Sequence, residues 1–83
     1  MAISSMIVQP MNGSASAVSK ALENMDGVTV HSVTLKQEII IVVEATSLKQ
    51  VNEAARTIEV IPGVLGVFPT YITTADEKED MIS

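Results

Sequence analysis

His31 is the only histidine in the 83 residues, and there is no cysteine. Those two counts exclude thiolate metal sites, cysteine nucleophiles, disulfides, iron–sulfur clusters and His-rich zinc sites. His31 lies in the β-branched stretch Val28–Leu35 with no carboxylate near it in sequence, so it reads as a surface or structural side chain. Ser4-Ser5 lacks the Gly-x-Ser-x-Gly setting that exposes a hydrolase nucleophile. Gly13, Gly27, Gly63 and Gly66 are dispersed and form no phosphate-cradling loop. Glu23, Glu53 and Glu59 fall opposite the apolar stripes of two helical patterns, where carboxylates are simply solvated. No catalytic constellation, metal site or cofactor site emerges, so the expectation is a protein that is not an enzyme.

Charge and composition narrow the partners. Five Lys and Arg against ten Asp and Glu give a net charge of −5, which opposes phosphate-backbone binding and favours basic partners. Phe68 and Tyr71 are the only aromatic residues, too few for a base-stacking platform, so nucleic acid is not expected as a partner. With 47% hydrophobic residues the chain has the material for a core. The longest aliphatic run, Ile39–Val43, is five residues and cannot span a bilayer. The first cation is Lys20, so no basic segment precedes an apolar one. A soluble, cytoplasmic, single-domain protein without membrane insertion is expected.

Six elements must position whatever docks. Ala2–Gln9 reads as a strand closed by Pro10 and the Asn12-Gly13 turn signal. Ala15, Val18, Leu22 and Met25 make one helix face within 14–26, with Ser14 as N-cap and Gly27 as helix-ending glycine. Val28–Leu35 and Glu38–Ala45 read as strands turning at Lys36-Gln37. Leu48, Val51, Ala55 and Ile58 follow the N-cap Ser47, then Ile61-Pro62-Gly63 stops the helix before a fourth strand, Val64–Ile72. An offset of 36 relates the halves: Ile3 falls on Ile39, Leu22 on Ile58, Gly27 on Gly63 and Val28 on Val64. The fold expected is α+β: a ferredoxin-like βαββαβ sandwich, with two helices on one face of a four-stranded antiparallel sheet of order 4-1-3-2. Pro69 suits strand 4 as an edge strand. Residues 1–73 make the domain, and 74–83, with four acids and one base, are expected to form a disordered tail.

Two helices leave one sheet face bare, and strand 3 is apolar on both sides. Ile39, Ile41 and Val43 are assigned to the helices, with Ile3, Ser5 and Ile7 of strand 1. Met6, Val8, Ile40 and Val42 then form an apolar patch on the open face, with Ser4 and with Glu44 at its end. Such patches mark docking surfaces. A homodimer through the open face is the plainest occupant.

Three segments, SSMIVQ at 4–9, EIIIVVEA at 38–45 and IEVIPGVLGVFPTY at 58–71, resemble the NapD family over most of residues 3–72. The resemblance implies a small cytoplasmic ferredoxin-like chaperone. It would bind the twin-arginine signal peptide of the periplasmic nitrate reductase catalytic subunit, NapA, and delay export until the molybdenum cofactor is loaded. Pro69 and Ile72 depart from the family's pattern in strand 4. On this reading Met6, Val8, Ile40 and Val42 take the apolar side of a docked peptide helix, and Glu44 meets its guanidinium groups. The alternative is an ACT-like small-ligand regulatory domain acting as a homodimer; the short chain counts against it.

Overall fold

The structure, a computed structural model, describes residues 1–74, the last three as backbone. From Ala75 on, the acidic segment expected to be a tail lies outside the described residues. The elements are β1 (Ala2–Pro10), α1 (Ala15–Glu23), β2 (Val28–Val33), β3 (Ile39–Ala45), α2 (Leu48–Glu59) and β4 (Val64–Thr74). The strands pair antiparallel in the order β2-β3-β1-β4, which is the expected 4-1-3-2 ferredoxin-like sheet read from its other edge. β4 runs two residues past the expected end because its Thr73 and Thr74 still find pairing partners in Ile3 and Ala2 of β1.

The helices bury Val18 and Leu22 from α1, and Val51 and Ile58 from α2, against the sheet. Their starts differ. Ser47 caps α2 by accepting a bond from the Gln50 amide at 3.2 Å. The Gln50 side chain in turn accepts bonds from the Thr46 amide and hydroxyl at 3.1 and 2.7 Å. This is a capping box displaced by one residue. Ser14 stands at the same place before α1 but makes no side-chain cap bond.

Gly27 and Gly63 are not the helix-ending caps expected from sequence: the C-caps of α1 and α2 are Asn24 and Val60. Each glycine is instead the third residue of a following turn. Val28 N–H donates to Met25 at 3.3 Å, and Val64 N–H to Ile61 at 3.1 Å. With φ of 79° and 96°, and Pro62 just before Gly63, both carry the marks of type II turns. The carbonyl of Gly27 accepts from Glu44 N–H at 2.7 Å, and that of Gly63 from Met11 N–H at 2.6 Å. Each turn is thereby tied to the other half of the chain.

The β2–β3 connection is longer than the expected Lys36-Gln37 pair. Thr34 N–H donates to Glu38 O at 2.9 Å and Gln37 N–H to Thr34 O at 2.8 Å, enclosing Leu35, Lys36 and Gln37. Gln37 has φ 67°. A turn followed by one left-handed residue is the common three-residue hairpin loop. The Thr34 hydroxyl supports it by accepting from Lys36 and Glu38 N–H at 3.2 and 3.1 Å.

Candidate functional site

The two faces of the sheet follow from the pairing. Directly opposed residues of an antiparallel pair project to the same side. Met6 lies opposite Ile41, Val8 opposite Ile39 and Ser4 opposite Val43. Ile39, Ile41 and Val43 are buried under the helices, as expected, and so are these partners: Met6 is 1% exposed, Val8 0% and Ser4 0%. The assignment of Met6, Val8 and Ser4 to the open face is therefore corrected.

The cause is a difference in helix length. α1 has nine residues and α2 has twelve. Helix ends and the strands after them keep the offset of 36, but the N-caps Ser14 and Ser47 lie 33 apart. At 33, Met6 falls on Ile39 and Val8 on Ile41. An odd offset exchanges every side chain of a strand between faces.

The open face carries Ile3, Ser5 and Ile7 of β1, opposite Glu44, Val42 and Ile40 of β3. Ile40 and Val42 are thus where the sequence places them, partly buried by their neighbours, and Glu44 is exposed. On the other flank Ile7 faces Phe68, and Ser5 faces Tyr71. In a regular strand, positions 68 and 71 would point to opposite faces. A bulge reconciles them: Ser5 pairs with Tyr71 and Met6 with Pro69, leaving Thr70 unpaired. The Thr70 hydroxyl donates to the Ser5 carbonyl at 3.1 Å and fixes the bulge. Both aromatic side chains, 56% and 64% exposed, then join the open face. Bulges re-aim side chains in this way. The sequence reading missed both, although Pro69, which cannot donate to a ladder, was a signal for an irregular edge.

Among the paired positions of this face Glu44 is the one charged side chain. It stands beside the α1–β2 turn through the Gly27 contact, and an open concavity of about 810 Å³ beyond the sheet's end is lined by Asp26, Gly27 and Glu44 and, on the helix side, by Val43, Gln50 and Ala54. His31 is exposed, the extra residue of a second bulge between Val30 and Ser32, with its Nδ1 3.4 Å from the Ser32 hydroxyl. No group of three or more His, Cys, Asp or Glu side chains among the described residues could hold a metal ion. No helix among them is long and apolar enough to cross a membrane.

Fold and site together define a small ferredoxin-like protein with an uncovered, largely apolar sheet face and a carboxylate at one end of it. The model of the NapD protein family matches residues 1–76, and the chain belongs to the NapD family. Among solved structures, the solution structure of the E. coli Tat proofreading chaperone protein NapD has the same fold. Its TM-score is 0.78 at 23% identity, over 98% of this chain and 86% of that one. No curated protein matches the chain.

Proposed function

We propose that this protein is a chaperone that binds the twin-arginine signal peptide of a periplasmic nitrate reductase catalytic subunit in the cytoplasm and holds back its export until the cofactor is loaded. The observation that carries the reading is the open face of a NapD-family sheet: Ile3, Ile7, Ile40, Val42, Phe68 and Tyr71 beside Glu44. A leader with two arginines and an apolar stretch is complementary to it. As an amphipathic helix it lays its apolar side on the aliphatic and aromatic residues. Its guanidinium groups meet carboxylate at the Glu44 end, where charge-assisted bonds are strong. Met6 and Val8 lie beneath this face, in the hydrophobic core. The family match weighs for this activity over the ACT-like regulatory domain.

Calorimetric titration with a leader of the NapA type tests the reading. Saturable binding is expected. No detectable heat at tens of micromolar peptide, an affinity of about −6 kcal/mol, rejects it. Light scattering with and without peptide tests the competing occupant. If the open faces pair two copies, a dimer exists without peptide and the leader has to displace it.

A further inference from the structure

The open face is polarised along its strands. We propose that the leader lies on it in a single direction, with its arginines at the Glu44–Asp26 end and its apolar stretch running toward Phe68. The inference rests on the function proposed above and adds an orientation to it.

Two observations place the cation-seeking end. Glu44 faces out where β3 finishes, opposite Ile3 at the start of β1. Asp26, in the α1–β2 turn, lines with Glu44 the concavity of about 810 Å³ beyond the sheet's end, which Val43, Gln50 and Ala54 close on the α2 side. Neither carboxylate forms a salt bridge among the described residues. Met1 lines the same concavity and Lys49 stands in the first turn of α2, but among the paired positions of the open face Glu44 is the one charged side chain.

The other end is apolar. Phe68 lies opposite Ile7, with Gly66 opposite Gln9 beyond it, and Leu65, unpaired between Gly66 and Val64, is 64% exposed. Leu35 is fully exposed at the tip of the β2–β3 hairpin on that side. Lys36 and Glu38 flank the hairpin with offsetting charges. From Ile3 to Gln9 the face runs about 20 Å, at ~3.3 Å per residue, which is the length of a helix of about 13 residues. That accommodates an arginine pair followed by roughly three apolar turns. In the reverse direction the arginines would sit over Phe68 and the apolar stretch would desolvate Glu44 without a partner, a costly arrangement for a carboxylate.

Paramagnetic broadening reads the direction. A nitroxide is attached to a NapA-type leader either just before the arginine pair or after the apolar stretch, and added to isotope-labelled protein. The first label is expected to remove most of the amide intensity of Gly27, Ala45 and Thr46 and spare Gly66–Phe68; the second is expected to do the opposite. The inverted pattern, or equal broadening at both ends, overturns the orientation while leaving the binding function intact. No binding by the unlabelled leader overturns the function itself, and the orientation with it.

Discussion

The ring of Phe68 lies over Gly66: a Cβ built on the glycine would stand 3.0 Å from the ring Cζ. The two residues share the open face of β4, two positions apart, and the ring supplies the apolar cover that a side chain at 66 would otherwise give. Aromatic cover of an edge-strand glycine is a known device for stabilising such strands. Phe68 is nonetheless 56% exposed, so its ring is also offered outward.

Phe68→Ala should therefore separate binding from folding. Stability should fall by about 1 kcal/mol or less, as befits a half-exposed side chain. Leader affinity should fall about tenfold or more, since buried aromatic anchors dominate interfaces. Thermal melts and calorimetry on the same variant check both.

The corrected face of β1 gives a second test. Met6→Glu should cost about 3–5 kcal/mol by placing an unpaired charge among Ile41 and the other core residues, and Ile41→Lys should do the same. Ile7→Glu and Val42→Lys, both on the open face, should fold and lose leader binding. Circular dichroism melts sort the four. A well-folded Met6→Glu together with an unfolded Ile7→Glu would return β1 to the orientation expected from sequence.

That reversal shows where the sequence was legible. Element order, sheet order and the buried side of β3 follow from residue types, because Ile39, Ile41 and Val43 alternate with a series that ends in Glu44. In β1 the alternation is weak: Ile3, Ser5, Ile7 and Ser4, Met6, Val8 are nearly matched in polarity, so residue types alone leave the phase open. Burying the Ser4 hydroxyl while leaving Ile3 and Ile7 on the open face runs against hydropathy, and the pairing with β3 decides it. Phe68 and Tyr71 were hidden by the bulge at Thr70, which a two-residue period cannot register.

Gly27 should not tolerate a side chain. Its φ of 79° is left-handed, and a Cβ there would sit 2.5 Å from the Glu44 carbonyl oxygen, which belongs to backbone and cannot swing aside. Gly27→Ala should lose at least about 2 kcal/mol, combining conformational strain with the displaced contact. Chemical denaturation measures it; a loss under half that size would mean the turn relaxes freely.

Gln37 offers the reverse case. It holds φ 67° with an ordinary side chain, exposed at the hairpin. Left-handed backbone costs an L-residue about 1–2 kcal/mol, of which glycine gives back part through its larger unfolded-state entropy. Gln37→Gly should stabilise the protein by about 0.5–1 kcal/mol without touching leader affinity, as read from denaturation midpoints and titration in parallel.

The last prediction concerns salt. If Glu44 and Asp26 meet the arginines, leader binding weakens as ionic strength rises, because exposed pairs are screened beyond about 8 Å at physiological salt. Exposed charges steer encounter more than they hold a complex, so the change should fall mainly on the association rate. Glu44→Gln and Asp26→Asn should each flatten the salt dependence, and the pair together more than either. Removing residues 75–83 takes away four acids and one base and should slow association modestly, with dissociation almost unchanged. Stopped-flow mixing at low and high salt resolves the two rates. A salt dependence identical in the full chain and Glu44→Gln removes Glu44 from the interaction. Affinity that stays flat or rises with salt in the full chain leaves the aliphatic and aromatic residues of the open face to bind the leader without help from charge.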